Sequence, residues 1–374
     1  MSKVRANILR KLKVSLLGLT FLLIGLALPL VLFEGIARIA GLEKLTSQER
    51  AAILNEHQLN PDDAERWCRP RDVGAEPARK KIFALGGSSV FSCCGRLDNS
   101  LAFPARLNER LAGQFDVKNY ALSGRDSFYH EDCVRFLTQA GERPEYWIYY
   151  AGHNDFINGR IGSPALTQVF QKYPPVFRIT NWLLHHSRLA GLLRRFSRPG
   201  IKLLNQATFE KNKNIILEQY KLNVARTHAR MVEFGAKMIL VTVVSNVETA
   251  PISPHSPSPD RELDPTWLHA EGMRLKGAKE FEKSLKTLKR ARDQDTSAWR
   301  APTEVNAFLR EFAASHPGTV ILLDLELELD KFFPIEGISC NFFGYGKTCD
   351  YLHPNQRLHN LIAEKLQEIL GRAK

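Results

Sequence analysis

The chain has 374 residues, 44% of them hydrophobic and 25% charged, enough apolar content for one large domain or a domain with insertions. Its formal charge of +12 is unevenly spread, and neither an aromatic-basic alternation nor a nucleic-acid motif accompanies it, which points away from nucleic acid and toward a membrane surface or an anionic glycan. Cys68, Cys93, Cys94, Cys133, Cys340 and Cys349 form no Cys-x-x-Cys pair and have no neighbouring His at zinc spacing, so disulfides are expected, with no metal and no cofactor.

The amino terminus reads separately from the rest. Lys3, Arg5, Arg10, Lys11 and Lys13 form a basic tail (1–13), followed by an uncharged apolar run from Val14 to Phe33. At about 1.5 Å per residue, a helix of that length spans a hydrocarbon core of roughly 30 Å. The predicted transmembrane helix therefore covers 14–34, Pro29 being tolerable within it. Basic residues before the span place that end in the cytoplasm and the remainder outside, in a bacterium on the periplasmic side of the inner membrane. A cleaved signal peptide is the rival, but it has a shorter apolar core, and Ile36-Ala37-Arg38-Ile39-Ala40 is a poor cleavage site. Residues 35–79 read as a linker with short helices, carrying Pro61, Pro70 and Pro77.

From residue 80 the pattern alternates. Strands are expected near 81–85, 116–121, 145–151, 237–243 and 319–324, and helices near 101–112, 128–140, 215–234, 303–315 and 355–371. Strands separated by helices predict a three-layer α/β/α domain over 80–374 with a parallel sheet. Two insertions interrupt it. The first, near 156–214, is helical, apolar and basic, with Arg188, Arg194, Arg195, Arg198, Lys202, Lys211 and Lys213 set against Glu210. The second, near 247–302, opens with four prolines and continues into a helical hairpin whose Ala278, Phe281, Leu285, Leu288 and Ala291 share one face. Packing of that face on the core is the expectation, because a single hairpin is not a solenoid. Arg188 and Asn246 are weaker candidates for a substrate pocket; a solvated face and a strand-end cap are the plainer readings.

Chemistry-bearing residues fall at strand ends. The run Lys80 to Leu85 stops at Gly86-Gly87, which puts Ser88 just past the carboxyl end of a buried strand, where open α/β sheets place ligands. This turn lacks the Gly-Lys-Ser/Thr of a phosphate loop and the spaced glycines of a dinucleotide fingerprint. Val90 stands where a nucleophile elbow would have its second glycine. Val117 to Gly124 repeats the strand-turn-glycine layout, making the Gly124 amide a candidate donor. Trp147 to Ala151 leads into Gly152-His153-Asn154-Asp155, where Asn154 can offer a side-chain amide to an oxyanion. Near the carboxyl end, Asp350 and His353 lie three residues apart before a helical pattern, so that the carboxylate can orient the imidazole.

Taken in order, Ser, Gly, Asn and Asp/His resemble the four blocks of the SGNH hydrolase superfamily, the GDSL-like esterases, over roughly 80–370. The resemblance implies an SGNH/flavodoxin-like fold and a hydrolase acting on esters. It implies Ser88 as nucleophile, His353 as base and Asp350 as its orienting acid, with the amides of Ser88 and Gly124 and the side chain of Asn154 as oxyanion hole. One departure is Gly86-Gly87-Ser88 in place of the common Gly-Asp-Ser, a point at which the chain is similar to members with an amino-terminal membrane segment. The expected activity is de-acylation of an acylated small molecule or a glycan of the cell envelope, with the membrane engaged by the amino-terminal helix and the basic insertion. An O-acyltransferase using the same serine and a silent glycan-binding or assembly protein are the alternatives. Cys340 and Cys349, enclosing eight residues before Asp350, are expected to be bridged; the other pairings stay open.

Overall fold

The computed structural model describes residues 33, 34, 38, 68, 69, 80–91, 99–161, 187, 188, 206–251, 260–296, 300–344 and 348–372. The predicted transmembrane helix lies outside these residues except for Phe33 and Glu34, as do the basic tail, nearly all of the linker, Cys93, Cys94 and most of the first insertion. Among the described residues no helix is long and apolar enough to cross a membrane.

Among the described residues five strands build the sheet: β1 (Lys80–Gly86), β2 (Phe115–Asn119), β3 (Tyr146–Tyr150), β4 (Lys237–Val241) and β5 (Val320–Leu323). Every pairing is parallel, and the order is β2-β1-β3-β4-β5. Parallel strands are covered on both faces and read as continuous apolar runs. The interior of β1 and all of β3 are accordingly buried. Phe83 anchors the centre, with Trp147 edge-on at 5.0 Å and Tyr120 tilted at 4.7 Å between ring centroids.

The helices, in chain order, are α1 (Ser88–Phe91), α2 (Phe103–Arg110), α3 (Ser127–Gln139), α4 (His153–Ile161), α5 (Gln206–Glu233), α6 (Pro265–Gly277), α7 (Phe281–Asp293), α8 (Thr303–Ser315), α9 (Leu325–Asp330), α10 (Phe333–Glu336), α11 (Ser339–Phe342) and α12 (Gln356–Arg372). Helices α2 and α12 pack together on one side, and α3, α5 and α8 form the other layer. The three-layer α/β arrangement with a parallel sheet is thus as expected. Helix α5 begins at Gln206 rather than near 215; in its first turns Lys213, nearly buried, pairs with Glu210 of the same helix at 2.9 Å and reaches out to Glu304 of α8 at 3.1 Å. This lysine, counted in the basic cluster from sequence, is committed to ion pairs within the fold.

Helices α6 and α7 form the hairpin foreseen in the second insertion. Ser284 Oγ donates to the Gly272 carbonyl at 2.7 Å, and a Cβ on Gly272 would lie 2.7 Å from the Leu288 side chain, so glycine here lets the two helices close. Leu288 and Ala291 are buried, while Phe281 and Leu285 pack against the core. Lys289 ties the hairpin to Glu326 and Asp330.

By contact density the chain divides into a unit of 1–54 and 169–202 and a larger unit of 55–168 and 203–374. In the smaller unit Glu34 accepts from Ser187 Oγ at 2.8 Å and the Arg188 amide at 3.0 Å, and the Arg188 guanidinium donates to the Arg38 carbonyl at 3.4 Å. These bonds account for Arg188 without a substrate pocket. The larger unit carries the sheet and every candidate catalytic residue.

Candidate active site

The strand order reverses direction between β1 and β3, the point at which doubly wound sheets open a crevice. Gly86 of β1 pairs with Tyr150 of β3, so the turns after these two strands lie side by side. One carries Ser88 and the other Asn154. A Cβ on Gly86 would meet the Tyr150 carbonyl at 2.5 Å and Val90 Cγ2 at 2.2 Å. On Gly87 it would come within 2.2 Å of Asn154 Nδ2. In this conformation a side chain at residue 87 would compete with the Asn154 amide for space.

Ser88 opens α1 and is 7% exposed. Its Oγ lies 3.0 Å from His353 Nε2, and His353 Nδ1 lies 2.9 Å from Asp350 Oδ1. The same Oδ1 accepts the backbone amides of Leu352 and His353, each at 2.8 Å. Burial opposes ionisation of Asp350, but the His353 side chain and the two amides outweigh it and hold the carboxyl at about 2. A carboxylate at Oδ1 requires the proton on Nδ1, which leaves the Nε2 lone pair to accept the Ser88 hydroxyl. That is the tautomer in which histidine can take a proton from serine.

The loop bearing Asp350 and His353 follows β5 by way of α9, α10 and α11. Cys340 and Cys349 are bonded, their Cα atoms 4.6 Å apart, as expected from sequence. The loop is further zipped to itself: Phe343 bridges Pro354, the Gly344 amide donates to the His353 carbonyl at 3.0 Å and the Asn355 amide to the Phe342 carbonyl at 2.9 Å. Gly344 sits at φ +118°, and a Cβ there would strike the Thr348 carbonyl at 2.0 Å, so this crossing needs glycine. A second disulfide, Cys68–Cys133, with Cα atoms 5.5 Å apart, fastens the linker to α3.

Gly124 stands in the turn before α3 at φ +76°. Ser88, Asn154, Gly152, Tyr150 and Val243 line one pocket, and beside them it is Arg125, the residue after Gly124, that reaches this lining. Asn154 Nδ2 donates to the Arg125 carbonyl at 2.8 Å, tying the α4 turn to the Gly124 turn. Asn158, one helical turn along α4, donates to the Gly124 carbonyl and to Asp126 Oδ2, both at 3.1 Å. Behind them Asp155 Oδ1 accepts Ser127 Oγ at 2.5 Å and the Ser127 amide at 3.2 Å, and Asn223 donates to Ser127 Oγ at 2.9 Å. Burial, and then the neighbouring Asp126, push the Asp155 carboxyl well above the ordinary carboxylate range. Sequence reasoning missed Asn158 and Asn223; the i, i+4 spacing of Asn154 and Asn158 on one helix was the available signal.

His153 belongs to the same turn but serves the fold. Its Nδ1 accepts the Ala301 amide at 2.9 Å, so Nε2 carries the proton toward the Val244 carbonyl at 2.9 Å. Burial lowers this imidazole to about 3 despite the Val244 bond, and it stays neutral. The fold and site together define a doubly wound α/β protein with a Ser-His-Asp relay at the switch point of its sheet.

No family model matches the sequence, and no curated protein matches it. Solved structures similar to this chain include a lipolytic protein of the G-D-S-L family from Veillonella parvula, with 11% identity and a TM-score of 0.41 over 78% of this chain and 99% of that one. A lipolytic protein of that family described as putative in its source, from Desulfitobacterium hafniense, has 13% identity and a TM-score of 0.38 over 78% and 99%. A GDSL-like lipase from Bacteroides thetaiotaomicron has 10% identity and a TM-score of 0.40 over 86% and 99%. Many of the structural neighbours thus bear the name of the family that the four sequence blocks resemble.

Proposed function

We propose that the chain is a serine esterase. The observation that carries this reading is the relay itself: Ser88 Oγ to His353 Nε2 at 3.0 Å and His353 Nδ1 to Asp350 Oδ1 at 2.9 Å. Ser88 Oγ attacks the ester carbonyl while its proton passes to Nε2, and the carbonyl π electrons move to oxygen to give a tetrahedral oxyanion. The Ser88 amide and the second amide hydrogen of Asn154, both on the pocket lining, receive that charge, and the Gly124 amide is the third donor that the sequence resemblance implies. Collapse expels the alcohol, which takes the proton from Nε2 and leaves an acyl-serine. Water, deprotonated by His353, then releases the acid and restores Ser88. Asp350 remains a carboxylate throughout and stabilises the imidazolium.

The finer assignment is a membrane-anchored enzyme whose catalytic domain acts outside the cytoplasm on an acylated glycan or envelope substrate. The apolar run Val14 to Phe33 behind a basic tail and the Cys68–Cys133 and Cys340–Cys349 disulfides support it, because disulfides persist in oxidising compartments. Two experiments test the two levels. Full-length protein in detergent should hydrolyse an aryl acetate and Ser88→Ala should not; equal rates would remove the esterase reading. A periplasmic reporter fused at the carboxyl terminus should be active, whereas activity of a cytoplasmic reporter at the same junction would reverse the orientation.

A further inference from the structure

The carboxylate of Asp350 turns into its own loop, onto the Leu352 and His353 amides and the imidazole. It orients His353 but gives the loop no fixed point in the sheet. That point lies past β4, where Val243 to Asn246 run buried beneath the catalytic loop. The Asn246 amide donates to the Tyr351 carbonyl at 2.8 Å. Its side-chain Nδ2 donates to the Asp350 carbonyl at 3.0 Å and to Ser339 Oγ at 3.1 Å. Two successive carbonyls of the catalytic loop therefore end on one fully buried residue.

Asn246 is held in turn. Its Oδ1 accepts the Glu248 amide at 3.2 Å, and its carbonyl accepts Nη1 of Arg300 at 3.0 Å. Arg300 comes from the end of the second insertion, is buried, and places its other arm 3.4 Å from Asp295 Oδ2 and its guanidinium 5.9 Å from the Tyr351 ring centroid. A buried guanidinium bonded to a backbone carbonyl costs desolvation, which its acidic partner offsets only in part; such a group is suited to fixing a position.

We infer that Asn246 is a positioning residue for the catalytic pair, holding the Asp350–Tyr351 backbone so that Asp350 Oδ1 meets His353 Nδ1, with Arg300 fixing Asn246 from the second insertion. The kinetic consequence rests on the esterase reading; the geometric one does not. Removing the Nδ2 donor frees the Asp350 carbonyl, and a displacement of about 1 Å at such a pair can cost a hundredfold in rate.

The test uses the full-length chain in detergent and two variants, Asn246→Ala and Asn246→Asp. The second keeps side-chain volume and Oδ1 but presents an acceptor to the Asp350 carbonyl, so it carries the test if the alanine variant folds poorly. With an aryl acetate, kcat should fall about ten- to a hundredfold while KM stays within about twofold. Proton NMR of the wild type should show a far-downfield resonance from His353 Nδ1–H, assigned by its loss in His353→Gln, and both Asn246 variants should lose or broaden it. Folded variants that keep the resonance and the wild-type kcat overturn the inference, as does a wild type without the resonance. A wild type that shows the resonance, loses it on substitution, yet hydrolyses no ester leaves the positioning role standing and removes the esterase reading instead.

Discussion

The two halves of the site are positioned by different physics. Ser88, Gly124 and Asn154 sit on turns that leave adjacent parallel strands, so their spacing follows from strand register and from a core that buries β1 and β3. Asp350 and His353 sit on a loop with no strand beneath it, held by the Cys340–Cys349 bridge, the Phe343–Pro354 crossing and bonds to Asn246. Packing fixes the first half and a set of discrete fasteners fixes the second. Substitutions supporting the strand side should therefore cost stability along with activity, whereas those supporting the loop side should cost activity first.

The largest expected effect lies where the halves meet. Ser88→Ala should lower kcat by about 10⁴-fold or more with the thermal midpoint nearly unchanged, measured with an aryl acetate and by calorimetry. On the strand side, Asn154→Ala should lower kcat on the order of a hundredfold or more if its amide serves the oxyanion. It should also lower stability, because the bond to the Arg125 carbonyl goes with it. An Asn154→Ala variant with lost activity but wild-type stability would blur the distinction between the halves.

The loop side gives the contrasting result. Cys340→Ser should reduce turnover more than it reduces helix and strand content by circular dichroism. Closing a loop of this length constrains the unfolded chain by roughly 2 to 3 kcal/mol, and the Cα separation of 4.6 Å suits a bridge. Parallel losses of activity and secondary structure would mean that the bridge supports the whole domain instead.

A further effect separates the halves by pH. Asp350, held at about 2 against an ordinary 3.8, contributes stability that is present above about pH 4 and lost as pH falls toward 2. Asp155, raised well above the ordinary carboxylate range by burial and by Asp126, has the opposite sign: the unfolded carboxyl ionises from about pH 4 while the folded one keeps its proton, so stability is lost as pH rises above about 4. Asp155→Asn should therefore raise the thermal midpoint relative to wild type more at pH 8 than at pH 5. A difference independent of pH would contradict the protonated state of Asp155.

The strand side was the more legible in sequence, for the same reason that it is the better packed. Apolar runs that stop on Gly86, Gly124 and Gly152 announce strand ends locally, and the five strands and their main helices fall where that pattern puts them. Asp350 and His353 were readable because three residues separate them. What supports them was not: a lone Asn246 at a strand end has the same local pattern whichever carbonyl it donates to, and its partners lie about a hundred residues away. The Cys68–Cys133 bridge was equally hidden, since spacing alone does not choose among long-range pairings. The local pattern places the start of α5 too late, since Glu304, which helps hold its first turns through Lys213, is distant in sequence.

The central claim is that Ser88, activated by His353 and Asp350, is the nucleophile. Treating the full-length protein with an aryl fluorophosphonate and mapping the adduct by peptide mass spectrometry tests it directly. The account predicts stoichiometric labelling on Ser88, lost in His353→Gln and accompanied by complete loss of ester hydrolysis. Labelling of a different serine, or ester hydrolysis that persists after Ser88 is fully modified, would contradict it.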